Sequence, residues 1–97
     1  MPTAEKAFES SLYYEDGHIL QIRIWRVPEP VPPSQHGFKY LCFYGRPGAH
    51  VVLYDNERGK GDHRHYGELK EPYRFRGIEA LMSDFLADVG RVRGEDE

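Results

Sequence analysis

The sequence predicts an α+β fold: an antiparallel β-sheet of four to five strands in meander order, with one amphipathic C-terminal helix packed on one face. Three observations lead to this fold class. A strand with strict alternation follows an Asp16-Gly17 turn, short connections join the later apolar runs, and a long stretch of helical periodicity lies near the C-terminus. Because 97 residues suffice for one modest core, we expect a single domain over residues 1–97.

The first two strands are predicted to form a hairpin. Leu12–Tyr14 leads into Asp16-Gly17, and glycine accepts the positive φ that a type I′ turn requires. The return strand is predicted at His18–Val27, because its side chains alternate in polarity. One face carries Leu20, Ile22 and Ile24, and the other carries Gln21, Arg23 and Trp25.

A proline-rich segment separates this hairpin from the rest of the sheet. Residues 28–33 include four prolines, which lack the N–H that a strand ladder needs, so residues 28–37 are expected to form a loop. We expect this loop to cross one end of the sheet; the alternative is that it clamps a partner. The next strands are predicted at Phe38–Tyr44 and His50–Tyr54, joined by a turn at residues 46–48, and a fifth at either His63–Tyr66 or Tyr73–Arg76.

The C-terminal helix is predicted at Ile78–Val89 and is expected to stop at Gly90. Its apolar residues fall at helical spacing and form one continuous stripe, so they are assigned to the core. The stripe consists of Ile78, Leu81, Met82, Phe85, Leu86 and Val89. Residues 1–10 and 91–97 are expected to be frayed tails.

Composition restricts the possible functions. The net charge is −3, yet residues 58–76 contain six bases against three acids, which suggests a local phosphate-binding region on an acidic protein. No membrane-spanning run and no secretory signal are visible, so a cytoplasmic protein without membrane contact is expected. Cys42 lies in an apolar context and is expected to be buried.

The segment Tyr54–Tyr66 contains the candidate site, because two histidines, three acids and three bases lie within thirteen residues. His63 and His65 would point the same way on a strand, about 6–7 Å apart. Two imidazoles at that separation suit general acid–base cleavage of a phosphodiester, one accepting the 2′-hydroxyl proton and the other protonating the leaving oxygen. The remaining histidines, His18, His36 and His50, are expected to be structural or solvated.

Other side chains near the histidines are assigned supporting roles. Arg58 and Lys60 are expected to stabilise the phosphorane, and either Asp62 or Asp55 to orient an imidazole. The expected substrate-binding residues are Arg74, Arg64, Tyr66 and Tyr54, the tyrosines through stacking on bases. Arg64 would face away from the histidines if this segment is a strand. An alternative chemistry remains open, in which a divalent metal ion is held by His63, His65, Asp55 and Glu57.

Two parts of the chain resemble the TumE family of bacterial and archaeal toxin–antitoxin proteins. The first comprises Asp16-Gly17, residues 23–28 (Arg-Ile-Trp-Arg-Val-Pro) and residues 30–32 (Pro-Val-Pro). The second, more specific, is Tyr-Asp-Asn-Glu-Arg-Gly-Lys-Gly-Asp-His-Arg-His at residues 54–65, followed by Glu-Pro-Tyr-Arg-Phe at residues 71–75. The resemblance implies a toxin that is paired with a helix-turn-helix antitoxin encoded nearby.

The leading interpretation is therefore a small, metal-independent endoribonuclease that acts as such a toxin, with RNA as substrate. Two alternatives remain: a metal-dependent nuclease, and a non-catalytic protein-binding module that uses the proline-rich loop and exposed aromatic strands. The exposed edge of an antiparallel sheet also suggests a homodimer in the absence of antitoxin.

Overall fold

A computed structural model describes residues 3–94, which form a six-stranded antiparallel sheet followed by one helix. The strand order is β1-β2-β3-β4-β5-β6, so every strand pairs with its neighbour in the sequence. The α+β class, the meander order and the C-terminal helix are confirmed, whereas the count of four to five strands is wrong. The elements are β1 (Glu5–Tyr13), β2 (Ile19–Arg26), β3 (Phe38–Arg46), β4 (Ala49–Glu57), β5 (Gly61–Tyr66), β6 (Leu69–Pro72) and α1 (Ile78–Arg93).

The first of the two sites considered for a fifth strand forms β5, and the additional strand, β6, lies between the two sites. β5 forms at Gly61–Tyr66, and the chain then turns at Gly67, whose φ of 59° is a left-handed conformation, into β6. Residues 73–76, the other predicted position, are not a strand. The β5–β6 register ends at the pair of His63 and Pro72, and the backbone N–H of Tyr73 makes one further bond, to the Asp62 carbonyl.

β1 is longer than the sequence suggested. It begins at Glu5, so residues 5–10 belong to an edge strand rather than to a frayed tail. Pairing with β2 along its whole length holds this segment, from Glu5 opposite Arg26 to Tyr13 opposite Ile19. All nine residues of β1 are nevertheless exposed.

The core lies between α1 and one face of the sheet. The predicted inward set of β2, Leu20, Ile22 and Ile24, is buried, and so is Cys42, as expected. β3, β4 and α1 complete the core with Tyr40, Tyr44, Val52, Tyr54, Leu81, Phe85 and Val89. We call the opposite side of the sheet the open face, since no helix or strand within residues 3–94 covers it.

The helix passes through Gly90 and ends at Arg93, one turn beyond the predicted stop. Gly94 supplies the left-handed cap, with φ of 74°. The last turn is held because the Arg93 guanidinium donates to the Tyr44 hydroxyl at 2.8 Å and to the Asp16 carboxylate at 3.1 Å. Nowhere in the described residues is there a helix with the length and apolar character needed to cross a membrane.

The proline-rich loop crosses the end of the sheet, as predicted. The Val27 N–H donates to the Gly37 carbonyl at the base of the loop, and the Gly59 N–H donates to the Pro32 carbonyl at 2.7 Å. Within the loop, the side chains of Val31 and Ser34 are buried. The loop is therefore fastened to the β4–β5 turn, next to the candidate site.

Candidate functional site

The alternation of β5 divides the predicted site between the two faces of the sheet. His63 lies directly opposite Asp55 on β4, and His65 lies opposite Leu53, with all four side chains on the open face. Asp62, Arg64 and Tyr66 point to the helix side. The strand therefore brings both imidazoles to the same face, as expected. It separates them from three of their proposed partners, Asp62, Arg64 and Tyr66.

The histidines line a shallow depression of about 110 Å³ on the open face. It combines two imidazoles, two carboxylates and two ammonium groups, which come from β4, β5, the turn between them, and β6. The lining residues are Leu53, Asp55, Glu57, Lys60, His63, His65 and Lys70. Acid, base and cationic groups thus meet at one place on the sheet.

One ring nitrogen of His63 is committed to the backbone. The Gly61 carbonyl lies 2.9 Å from Nδ1 and can only accept a hydrogen bond, so Nδ1 carries a proton. This bond fixes the tautomer of the neutral ring and leaves Nε2 as the nitrogen that exchanges protons. His63 is therefore oriented for acid–base chemistry by its own strand.

Asp55 and His65 have shifted proton affinities. Burial raises the pKa of Asp55, with a further rise from Glu57 and an opposing effect from His65 and His63. Burial also lowers the pKa of His65; Asp55 opposes this effect, while His50, Lys70 and His63 add to it. Such shifts in a partly enclosed cluster are typical of groups that transfer protons.

The two lysines of the depression differ in their surroundings. Lys60 forms an ion pair with Glu57 at 3.2 Å, and a hydrogen bond from Lys60 lowers the pKa of that carboxyl. Lys70 is paired across the strands with His65. An anion that enters the depression would therefore meet Lys70 beside one imidazole and Lys60 at the rim.

The alternative metal ligands share this depression but are not arranged around one point. Asp55, Glu57, His63 and His65 all line it, yet residues 3–94 contain no group of three or more His, Cys, Asp or Glu side chains that could hold a metal ion. A transition-metal site needs such a gathered set of ligands. The arrangement of these donors therefore does not fit a metal centre.

Asp62 lies on the other face and ties the proline-rich loop to β5. Its carboxylate accepts hydrogen bonds from the Ser34 hydroxyl at 2.5 Å, the Tyr40 hydroxyl at 2.7 Å and His36 Nε2 at 2.8 Å. Burial raises the pKa of Asp62, but these three bonds outweigh burial and leave the pKa below its ordinary value. Asp62 is thus an ionised structural acceptor and does not touch the His63–His65 pair.

Tyr54, Tyr66 and Arg64 also lie on the helix side. The hydroxyls of both tyrosines donate to the buried carboxylate of Asp88 on α1, at 2.8 Å from Tyr66. Arg64 donates to Glu71 at 2.5 Å and to the Tyr54 hydroxyl at 3.4 Å. Tyr54 is fully buried, so it has no surface on which a base could stack.

The remaining two predicted residues lie at separate places. Arg58 borders a cavity formed with the proline-rich loop and the start of the chain, and Arg74 lines a groove beside α1 that also contains Arg64, Tyr73 and Arg76. Neither borders the histidine depression. Lys70, which does, was not among the predicted residues, because β6 was not foreseen.

The fold and the depression together define a small α+β protein that presents acid–base side chains on an uncovered sheet face. The family model described as Toxin TumE matches residues 3–93. The chain belongs to the TumE family and is the toxin component of a toxin–antitoxin system, for which an antitoxin is the partner. The comparison with curated proteins gave no match, and neither did the comparison with solved structures.

Proposed function

We propose that this toxin is an endoribonuclease that cleaves RNA without a metal ion, with His63 and His65 as its acid–base pair. The observation that carries the proposal is the placement of both imidazoles in one depression with Lys60 and Lys70. A pair of titratable groups with an anion-binding cation beside them is what in-line transfer at phosphorus requires.

The roles of the two histidines follow from their surroundings. The lowered pKa of His65 keeps that ring neutral, so it serves as the general base and removes the 2′-hydroxyl proton. The 2′-oxygen then bonds to phosphorus while the bond from phosphorus to the 5′-oxygen breaks. His63, opposite the Asp55 carboxylate, gives the proton from Nε2 to the departing 5′-oxygen. The products are a 2′,3′-cyclic phosphate and a 5′-hydroxyl.

Lys70 and Lys60 stabilise the negative charge that grows on the phosphorane oxygens. Arg58, Arg74 and Arg64 do not belong to this set, since none of them borders the depression. Asp62, Tyr54 and Tyr66 are likewise reassigned to the packing of the loop and the helix. The proposed catalytic set therefore comprises His63, His65, Lys60 and Lys70, with Asp55 as a positioning residue.

The proposed partner is a helix-turn-helix antitoxin that is encoded nearby and neutralises the toxin by binding it. An RNA-cleaving toxin acts where transcripts are translated, so we propose a cytoplasmic location. The proline-rich loop is not proposed as a partner clamp, because Ser34 and His36 fasten it to Asp62 of the sheet.

The test uses purified toxin, a labelled single-stranded RNA and EDTA. Wild type is expected to cut the RNA, and His63→Gln and His65→Gln are each expected to lower kcat/KM by about 10² or more. His18→Gln, in the connection just before β2, is the matched control and should retain wild-type activity.

Activity that disappears in EDTA and returns with manganese or zinc would replace this proposal with the metal-dependent alternative. A toxin that arrests growth equally well as the His63→Gln/His65→Gln double variant would replace it with a non-catalytic binding function. In both cases circular dichroism must show that the variants are folded.

A further inference from the structure

The open face extends well beyond the histidine depression and carries three aromatic side chains. The strand register places Tyr13 on this face at β1, Trp25 at β2 and Phe43 at β3, since each alternates with residues that point to the core. Most of the other tyrosines and phenylalanines of the sheet are packed under α1. Aromatic residues on an uncovered face need a separate explanation.

These aromatics are accessible. Trp25 and Phe43 are each partly exposed, and Tyr13 is 70% exposed. The row that contains Phe43 continues through Leu53 to His65, so Phe43 and His65 are two strands apart, or about 10 Å. A flat ring at this distance can support a base whose neighbouring phosphodiester reaches the imidazoles.

The charge of the open face differs in sign from that of the whole chain. It carries five bases, Lys6, Arg23, Lys39, Lys60 and Lys70, against three acids, Glu9, Asp55 and Glu57. The complete chain has a net charge of −3. Lys39 is exposed and lies across from Trp25, so a cation stands directly beside an aromatic ring.

We infer that the open face binds single-stranded RNA, with bases stacked on Phe43 and Trp25 and phosphates held by Lys39 and Lys70. The inference rests on the proposed ribonuclease activity for its choice of RNA, and it assigns the surface that presents this substrate to His63 and His65. Aromatic rings interleaved with cations on an uncovered sheet are the usual platform for unpaired bases.

A single strand fits this surface and a duplex does not. Stacking on Phe43 or Trp25 requires bases that are free of their own neighbours, whereas a duplex presents its backbone and keeps its bases inside. The same surface would also suit a protein that covers the face, and a test must separate that outcome from RNA binding.

Trp25 is itself the reporter, because it is the only tryptophan in the chain. The binding experiment uses the His63→Gln/His65→Gln variant, so that RNA is bound but not cut. Titration with a single-stranded oligonucleotide is expected to quench the Trp25 fluorescence with saturation. The same sequence as a duplex is expected to bind at least about tenfold more weakly.

Variants locate the stacking surface. Phe43→Leu preserves an apolar side chain but removes the ring, and it is expected to weaken binding at least about fivefold, measured by anisotropy of labelled RNA. Trp25→Leu is a second, independent variant with the same expected loss. Phe8→Leu, an exposed aromatic on the opposite side of the sheet, is the matched control and should bind as tightly as the parent.

The outcomes are distinguishable. The inference is overturned if RNA does not change the Trp25 fluorescence, or if single strand and duplex bind with equal affinity. It is also overturned if the antitoxin, and not RNA, protects Trp25. Normal binding with no cleavage by wild type leaves this surface in place and refutes the proposed catalysis. Cleavage that is insensitive to both Phe43→Leu and Trp25→Leu keeps the catalysis and refutes the platform.

Discussion

His63 and His65 stand on the same face of β5 but differ in their surroundings. The first is held by its bond to the Gly61 carbonyl, while the second is partly buried among like charges that include Lys70. Asp55 faces both rings, and burial raises its pKa. The proposed division into a base, His65, and an acid, His63, therefore rests on where each ring lies, although both have the same chemistry in water.

The pH profile of cleavage tests this division. Because the pKa of His65 is lowered from its ordinary value of 6.5, the base is unprotonated at a lower pH than usual. The rising limb of kcat/KM is therefore expected to have its midpoint below pH 6.5.

Two substitutions should move this limb in opposite directions. Lys70→Met removes a charge that lowers the pKa of His65, so the limb should shift to higher pH, and Asp55→Asn should shift it to lower pH. A rising limb at or above pH 7 in wild type would show that His65 is not the base.

At the scale of elements, the loop and the last strands are joined by Asp62. Its carboxylate collects donors from Ser34, His36 and Tyr40, and His36 also stacks on Phe75 with ring centres 3.9 Å apart. The proline-rich loop, β3 and β5 are therefore fixed to one another on the helix side. At this end of the sheet, loop residues Pro28, Glu29 and Val31 line a cavity together with Lys39.

Asp62→Asn is expected to destabilise the fold by about 2 kcal/mol, because an amide cannot accept all three hydrogen bonds and introduces donors that oppose them. Since the folded pKa of Asp62 lies below 3.8, the stabilisation is complete above about pH 4 and is lost as the pH falls below that value. The measurement is urea unfolding at pH 7 and at pH 3, and the difference in stability between the two proteins should be smaller at pH 3.

Asp55→Asn provides the comparison, since the pKa of Asp55 is raised and its charge does not stabilise the fold at neutral pH. This variant should be as stable as wild type at pH 7, or more so. Equal stability of wild type and Asp62→Asn at pH 7 would contradict the structural role of Asp62.

Alternation and turn residues were sufficient to predict β2 and its buried face, because the apolar residues Leu20, Ile22 and Ile24 all fall on one side of the strand. The position of His63 and His65 on the same face of β5 followed from the same two-residue period. β6 was missed because its residues, Leu-Lys-Glu-Pro, show no apolar alternation; pairing with β5 makes it a strand. Asp62 and His36 are distant in sequence, so only the packed loop could reveal their contact.

The end of the helix and the distribution of the basic residues also depend on contacts that the sequence alone does not reveal. Gly90 looked like a stop, but Arg93 adds contacts with Asp16 and Tyr44 that only the folded hairpin provides. Local basic charge at residues 58–76 suggested a single phosphate site, whereas alternation and turns distribute those bases among three places.

Taken as a whole, the sheet of residues 3–94 has one uncovered face and two edge strands, β1 and β6. Within residues 3–94 the outer side of β1 has no strand partner, and it exposes Phe8 (38%) and Leu12 (51%). In an antiparallel pair of two β1 strands centred on Ser10, Phe8 of each copy lies opposite Leu12 of the other. Such a contact joins two sheets edge to edge and leaves both open faces accessible.

We therefore predict a homodimer through β1 in the absence of antitoxin. Light scattering after gel filtration should give twice the chain mass for wild type, and Leu12→Glu should give a monomer, because two carboxylates would be placed against Phe8 side chains. Leu69→Glu, on the opposite edge strand β6, is the matched control and should remain a dimer. A monomeric wild type, or a dimer that Leu69→Glu disrupts, would refute pairing through β1.

The most direct test of the central claim is analysis of the RNA ends that the purified toxin leaves in EDTA. The proposed His63–His65 mechanism predicts a 2′,3′-cyclic phosphate and a 5′-hydroxyl, with no cut at a nucleotide that carries a 2′-deoxy sugar. Cleavage beside a 2′-deoxy sugar, or undiminished product from the folded His63→Gln/His65→Gln variant, would contradict it.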